Sequence, residues 1–193
     1  MSLFSIYLKL GFDHIIDFQA YDHILFITTL CAVYLFREWK KVLILVTSFT
    51  IGHSITLALA SLNIIRVNTN LIEFLIPLTI FITGVANIIE KNQNFSKKLH
   101  LFKYFTALFF GLIHGLGFSS YLKSLLGMQE SIFQPLLAFN LGLEIGQIII
   151  VLSILVVAEI FINLLKTKKR EWTLVFSGMG IGISIILMIE RAI

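Results

Sequence analysis

FGLIHGLGF at positions 110–118 and FNLGLEIGQ at 139–147 decide how this chain folds. Both stretches are apolar and glycine-rich, yet the first carries His114 and the second Glu144. An ionised carboxylate alone in hydrocarbon is costly, so Glu144 must meet a protein interior, water, a proton or a cation. Asn140, Glu144 and Gln147 recur at i, i+4 and i+7 and so share one face of one helix. His114 lies near the middle of the preceding apolar segment, which predicts two helices with a polar seam between them.

Composition agrees with a membrane setting. Of 193 residues, 58% are apolar, 18 are Phe and only 13% are charged, with a mean hydropathy of +0.93. Such a chain cannot wet a soluble surface, and the expected fold class is all-α, a polytopic membrane helix bundle forming a single transmembrane domain. The one cysteine, Cys31, sits in an apolar run and defines no disulfide framework. The net charge of +4 does not point to nucleic acid, because the basic residues occupy short loops between hydrophobic runs.

Six spans are expected, at about 20–36, 42–62, 71–89, 104–121, 133–165 and 172–189. Residues 1–19 lack the basic start and small-residue cleavage site of a signal peptide and read as a short interfacial segment. Pro77 should kink the third span, and Gly178, Gly180, Gly182 and Ser184 should let the sixth approach its neighbours closely. Arg37, Lys40, Lys41, Lys91, Lys97, Lys98, Lys103, Lys166, Lys168, Lys169 and Arg170 are 11 of the 15 basic residues and all fall on alternate loops. By the positive-inside rule that side is cytoplasmic and both termini lie outside.

This topology brings several ligand-type residues to the outer half of the membrane. His53 and His114 each stand roughly 13 Å from the outer ends of their helices, and Glu144 roughly 16 Å. Asp22 and His23 enter at the outer edge of the first span. Neutral imidazole and carboxylate suit divalent nickel, cobalt or zinc, and no Cys or Met falls in the group to favour copper(I). Asp22, His23, His53, His114 and Glu144 are therefore candidate metal ligands, with His14 undecided; Ser54, Asn140 and Gln147 are candidate partners that orient them. Singly, each has a plainer reading: His53 and His114 as interhelical hydrogen-bonding residues, Asp22 as a helix N-cap, His100 as a loop residue. Glu73 reads as a cap or headgroup contact near an outer helix end.

GFDHIIDFQAYDHILF (11–26), LVTSFTIGHSITLALA (45–60), FGLIHGLGFSS (110–120) and LAFNLGLEIGQ (137–147), in that order and across nearly the whole chain, resemble the HupE/UreJ family of bacterial hydrogenase and urease accessory membrane proteins. The resemblance implies a six-span protein of the bacterial inner membrane, regarded as a nickel permease working by facilitated diffusion. It also implies His14, Asp22, His23 and His114 as functional residues, and metallochaperones or hydrogenase and urease maturation proteins as partners. Seven residues separate His14 from Asp22 where many relatives have five, and the cleavable leader common among relatives is not evident here.

Two further readings stay open at this point. An intramembrane zinc hydrolase acting on a lipid-linked bond would use Glu144 or Asp22 as general base. A structural helper would use the polar seam only to join helices, with no metal.

Overall fold

The structure, a computed structural model, describes residues 2–17, 21–90, 97–126 and 132–192. Lys91 and the expected start of the first span at Ala20 lie outside the described residues. The chain forms α1 (Leu3–Ile16), α2 (Asp22–Cys31), a 3-10 turn, α3 (Trp39–Ser61), α4 (Thr69–Ile89), α5 (Lys97–Leu126), α6 (Phe133–Glu159), a π turn and α7 (Lys169–Ala192), with no strand among the described residues. Ser2 caps α1 and Asn68 caps α4 through side-chain oxygens that accept from Ser5 and Asn70 N–H. Asn63, at φ 61°, and Lys166, at φ 59°, turn the chain after α3 and after the π turn.

Five segments, from Phe36–Ser61 to Lys169–Ala192, are long and apolar enough to cross a membrane. The first expected span differs. Only Asp22–Cys31 is helical, and ten residues rise about 15 Å where a bilayer core needs about 30 Å. The N-terminal segment differs too. It packs along α6 with Tyr7, Gly11 and Ile15 buried, where an interfacial helix would lie apart. Tyr7 donates from its hydroxyl to the Leu125 carbonyl at the end of α5, whereas Tyr34 packs beside His100 near the start of α5. Tyr7 on α1 and Tyr34 after α2 therefore lie at opposite ends of α5.

The expected basic side is a real assembly. Glu38 meets Lys41 at 3.0 Å and Lys169 at 3.6 Å, and Lys103 meets Glu90 at 3.0 Å. Arg170 donates to the carbonyls of Asn87, Ile88 and Glu90 at the end of α4. These contacts gather the starts of α3, α5 and α7 and the end of α4 at one end, called here the basic face. The opposite face holds the ends of α3, α5 and α7 and the starts of α4 and α6. There Arg191 donates to the Glu73 carbonyl at 3.1 Å and to Asp22 at 2.8 Å.

Three helix pairs surround α2. The pairs α3·α5 and α1·α6 are each parallel, because glycines in one helix meet the backbone of the other in rising register. A Cβ on Gly52 would lie 2.1 Å from the Leu108 carbonyl oxygen, and one on Gly111 would lie 2.1 Å from that of Phe49. In the third pair α4 runs antiparallel to α7. The central α2 buries Phe26, Ile27, Thr29 and Cys31 almost completely. Of the sixth-span glycines, Gly180 alone approaches a neighbour, Thr29 on α2, while Gly178 and Gly182 face open space. Trp172 is 3% exposed and packs against Phe176, ring to ring at 4.0 Å. The outer surface is apolar, with Ile44, Ile51 and Ile55 on α3 and Phe102, Phe105 and Phe109 on α5 exposed as lipid contacts would be.

The glycine contacts make a stability prediction. Gly52→Ala and Gly111→Ala should each cost about 1–3 kcal/mol or more, because the new methyl meets rigid backbone. Gly178→Ala and Gly182→Ala should cost nothing. Thermal unfolding midpoints in detergent check the contrast, and equal losses at all four positions would contradict the packing described.

Candidate metal centre

Three imidazoles converge inside the bundle from three different helices. His14 ends α1, His23 opens α2 and His53 lies on α3; each offers a ring nitrogen, and the three nitrogens lie within 4.8 Å of one another. The His14 and His23 rings are 4.7 Å apart, His23 and His53 6.1 Å, and His14 and His53 6.3 Å. An ion held at 2.0–2.1 Å by each nitrogen would bring pairs of nitrogens to about 3.3 Å, a movement of the order of an ångström that rotation of the rings supplies.

The nitrogens are free to bind. His14 Nε2 and both ring nitrogens of His23 and of His53 are buried without a hydrogen-bond partner in the protein. Leaving such groups unpaired costs about 1–3 kcal/mol each, a cost that a bound ion or an ordered water would offset. Divalent nickel, cobalt or zinc fits this all-nitrogen set.

His114 stands on the other side of His23, ring to ring at 5.3 Å. Its Nε2 lies 3.0 Å from Thr79 Oγ1, and the Thr79 hydroxyl proton already goes to the Ile76 carbonyl at 2.7 Å. The threonine oxygen can then only accept, so His114 carries its proton on Nε2 and keeps a lone pair on Nδ1. That Nδ1 is buried and unpartnered. Thr79, not singled out by sequence reading, thus fixes the tautomer of a candidate ligand; its only sequence signal is a hydroxyl in an apolar run.

Aromatic rings wall the centre. Phe118 packs at a tilt against His14 at 3.9 Å and stacks on Phe139 at 5.0 Å, while Phe49 and Phe26 flank His114 at 5.0 and 5.2 Å. A cavity of about 340 Å³ reaches His14, His23 and His114 and is also lined by Asp22, Glu73 and Arg191 at the opposite face. His53, with 0% exposure, lies behind it.

The remaining sequence candidates sit elsewhere. Asp22 opens α2 and is ion-paired to Arg191. Glu144 is not in the histidine group; it accepts from the Thr47 hydroxyl at 2.6 Å, where α6 crosses α3. Gln147 accepts from Thr50 at 2.8 Å in the same crossing, Asn140 donates to the Leu136 carbonyl, and Ser54 donates to the Thr50 carbonyl. None of Ser54, Asn140 and Gln147 has a hydrogen bond to a histidine ring, because helical spacing fixes which face they share but not which neighbour that face meets. Glu73 and Arg191, by contrast, join the cavity through tertiary packing that nothing local in the sequence announces.

Comparison with curated proteins and with solved structures gives no match. The family model described as HupE / UreJ protein matches residues 1–191. That match over residues 1–191, together with five apolar helices of spanning length and a buried histidine cluster, shows that the protein belongs to the HupE/UreJ family.

Proposed function

We propose that this protein carries a divalent transition-metal ion, nickel foremost, across the bacterial inner membrane through the histidine centre. The observation that carries the reading is the convergence of His14, His23 and His53 with unpartnered nitrogens, behind a cavity whose mouth holds Asp22 and Glu73. The basic face is the cytoplasmic one, both termini lie on the opposite side, and α1 with α2 make the sixth crossing as a broken helix. Hydrogenase or urease maturation proteins would receive the ion.

An arriving hydrated cation first meets carboxylate at Asp22 and Glu73. It then exchanges waters for imidazole nitrogen at His14 and His23, with His53 and His114 on either side. Three ligands leave the coordination sphere incomplete, which suits a site that must release what it binds. The hydrolase reading finds less support. Asp22 is engaged by Arg191 and Glu144 by Thr47, so neither carboxylate stands ready as a base beside the histidines.

Replacing His23 or His53 by Ala should weaken nickel binding about 10-fold or more, since even residues that merely orient ligands cost that much. His100→Ala should leave it unchanged, because His100 packs with Tyr34 and Tyr104 near the basic face. Isothermal titration of folded, detergent-purified protein checks this. Unchanged affinity in the His23 and His53 variants would remove them as ligands.

Protons compete with any such ion. Histidine binds metal only when neutral, so affinity should fall as the pH is lowered. With two or three imidazoles acting together the loss should be steeper than a single titration. Nickel uptake into proteoliposomes at matched internal and external pH measures it; flux insensitive to pH would contradict a histidine-lined path.

A further inference from the structure

The two parallel helix pairs are built alike in atomic detail. Leu8-x-x-Gly11-x-x-His14 in α1 repeats as Leu108-x-x-Gly111-x-x-His114 in α5, and Phe139-x-x-Gly142 in α6 repeats as Phe49-x-x-Gly52 in α3. A Cβ on Gly11 would lie 1.9 Å from the Phe139 carbonyl oxygen, and one on Gly111 2.1 Å from that of Phe49. One on Gly142 would lie 1.9 Å from the Leu8 oxygen, and one on Gly52 2.1 Å from that of Leu108. A turn further along, Gly146 meets Ile15 as Thr56 meets Gly115, at 2.2 and 2.4 Å. The histidines follow the same pattern, His14 lying 5.8 Å from the Phe139 ring and His114 5.0 Å from that of Phe49.

The pairs run in opposite directions. Helices α1 and α6 start at the opposite face, α5 and α3 at the basic face, so the operation that relates them is a twofold lying across the helices. The third helices obey it too. Antiparallel α4 and α7 join at one end through Arg191 and Glu73 and at the other through Arg170 and Asn87. Under the same operation continuous α5 corresponds to α1 and α2 together, with His14 in the last turn of α1 and His23 in the first turn of α2.

We infer that the chain is an inverted repeat of three helices and three, α1/α2-α3-α4 and α5-α6-α7, whose halves exchange first helices, and that its histidine centre lies on the pseudo-twofold axis and opens alternately to the two faces. His14 and His114 are symmetry mates with His23 between them. What this means for transport rests on the function proposed above. Inverted repeats with an interrupted helix at the site are how many carriers expose one site to two sides, by rocking one unit against the other.

The structure holds the two ends of that motion unequally. Towards the opposite face lies the cavity with Ile76, Asp22 and Arg191. Towards the basic face lies a second cavity, about 220 Å³, lined by Leu30, Leu45, Thr83, Asn87 and Phe110. Phe26 separates it from the histidines, packed on Phe49 at 4.9 Å and Phe110 at 6.1 Å. Rocking of α1·α6 against α3·α5 would close the first cavity and part this aromatic layer. The mates are not identical: Leu143 stands where His53 has its counterpart, so the third imidazole serves one side only.

The test uses the full chain in oriented vesicles, with Cys31 replaced by Ala and single cysteines at Ile76→Cys or Thr83→Cys. A membrane-impermeant maleimide should label Ile76→Cys from the opposite face and Thr83→Cys from the basic face. Adding Arg191→Gln, which frees Asp22, should raise the first labelling rate severalfold and lower the second. Labelling that rises together, or does not change, overturns the inference. Nickel flux in the same vesicles tells the two ideas apart: reciprocal labelling without flux would remove nickel as cargo and leave the alternating repeat standing.

Discussion

Glycine packed against a neighbouring carbonyl is the contact on which this molecule depends. At Gly11 and Phe139, Gly142 and Leu8, Gly52 and Leu108, and Gly111 and Phe49, helices approach until a single methyl would collide with backbone. Between membrane helices there is little hydrophobic drive, and close van der Waals packing supplies the association. The same crossings set the site. His14 follows Gly11 by three residues and His114 follows Gly111 by three, so the distance between paired helices fixes where each imidazole is delivered.

A bundle held this tightly leaves little room for polar atoms, which makes those present informative. Thr29, Thr50, Thr83, Thr173 and Ser177 are buried, and their side chains make hydrogen bonds to backbone or to neighbouring side chains. The ring nitrogens of His23 and His53 have no such partner, and the two rings face one another across 6.1 Å. A facing group of unpartnered imidazoles is chemically suited to hold a cation, which is the support for the function proposed above. Charge is managed the same way. Asp22 and Arg191 neutralise one another at the mouth, and the basic residues at the other end are distributed over Glu38, Glu90 and the end of α4.

Much of this was readable in the sequence. Long apolar runs located α3 to α7, and depth counting brought His53 and His114 to one level, because helical rise is fixed by hydrogen bonding. Where the reading diverged, tertiary structure decided. Residues 1–19 read as interfacial because they lack a signal-peptide pattern, yet Gly11 lets α1 pack closely on α6. Glu144 shares a face with Asn140 and Gln147 as the spacing required, but that face meets Thr47 and Thr50. Thr79 and Arg191 gain their roles only from what folds against them. The repeat itself hides because its matching helices are 100 residues apart in one case and 90 in the other, carry few identical residues, and run in opposite directions.

Transport through a histidine centre requires imidazole nitrogen among the atoms that would hold the ion. X-ray absorption at the nickel edge of metal-loaded, detergent-purified protein reports them. Three imidazoles should give a nitrogen and oxygen first shell with the outer-shell scattering that only histidine rings produce, and that signal should diminish in the His23→Ala protein. A shell of oxygen alone, or one indifferent to that substitution, would contradict a histidine centre.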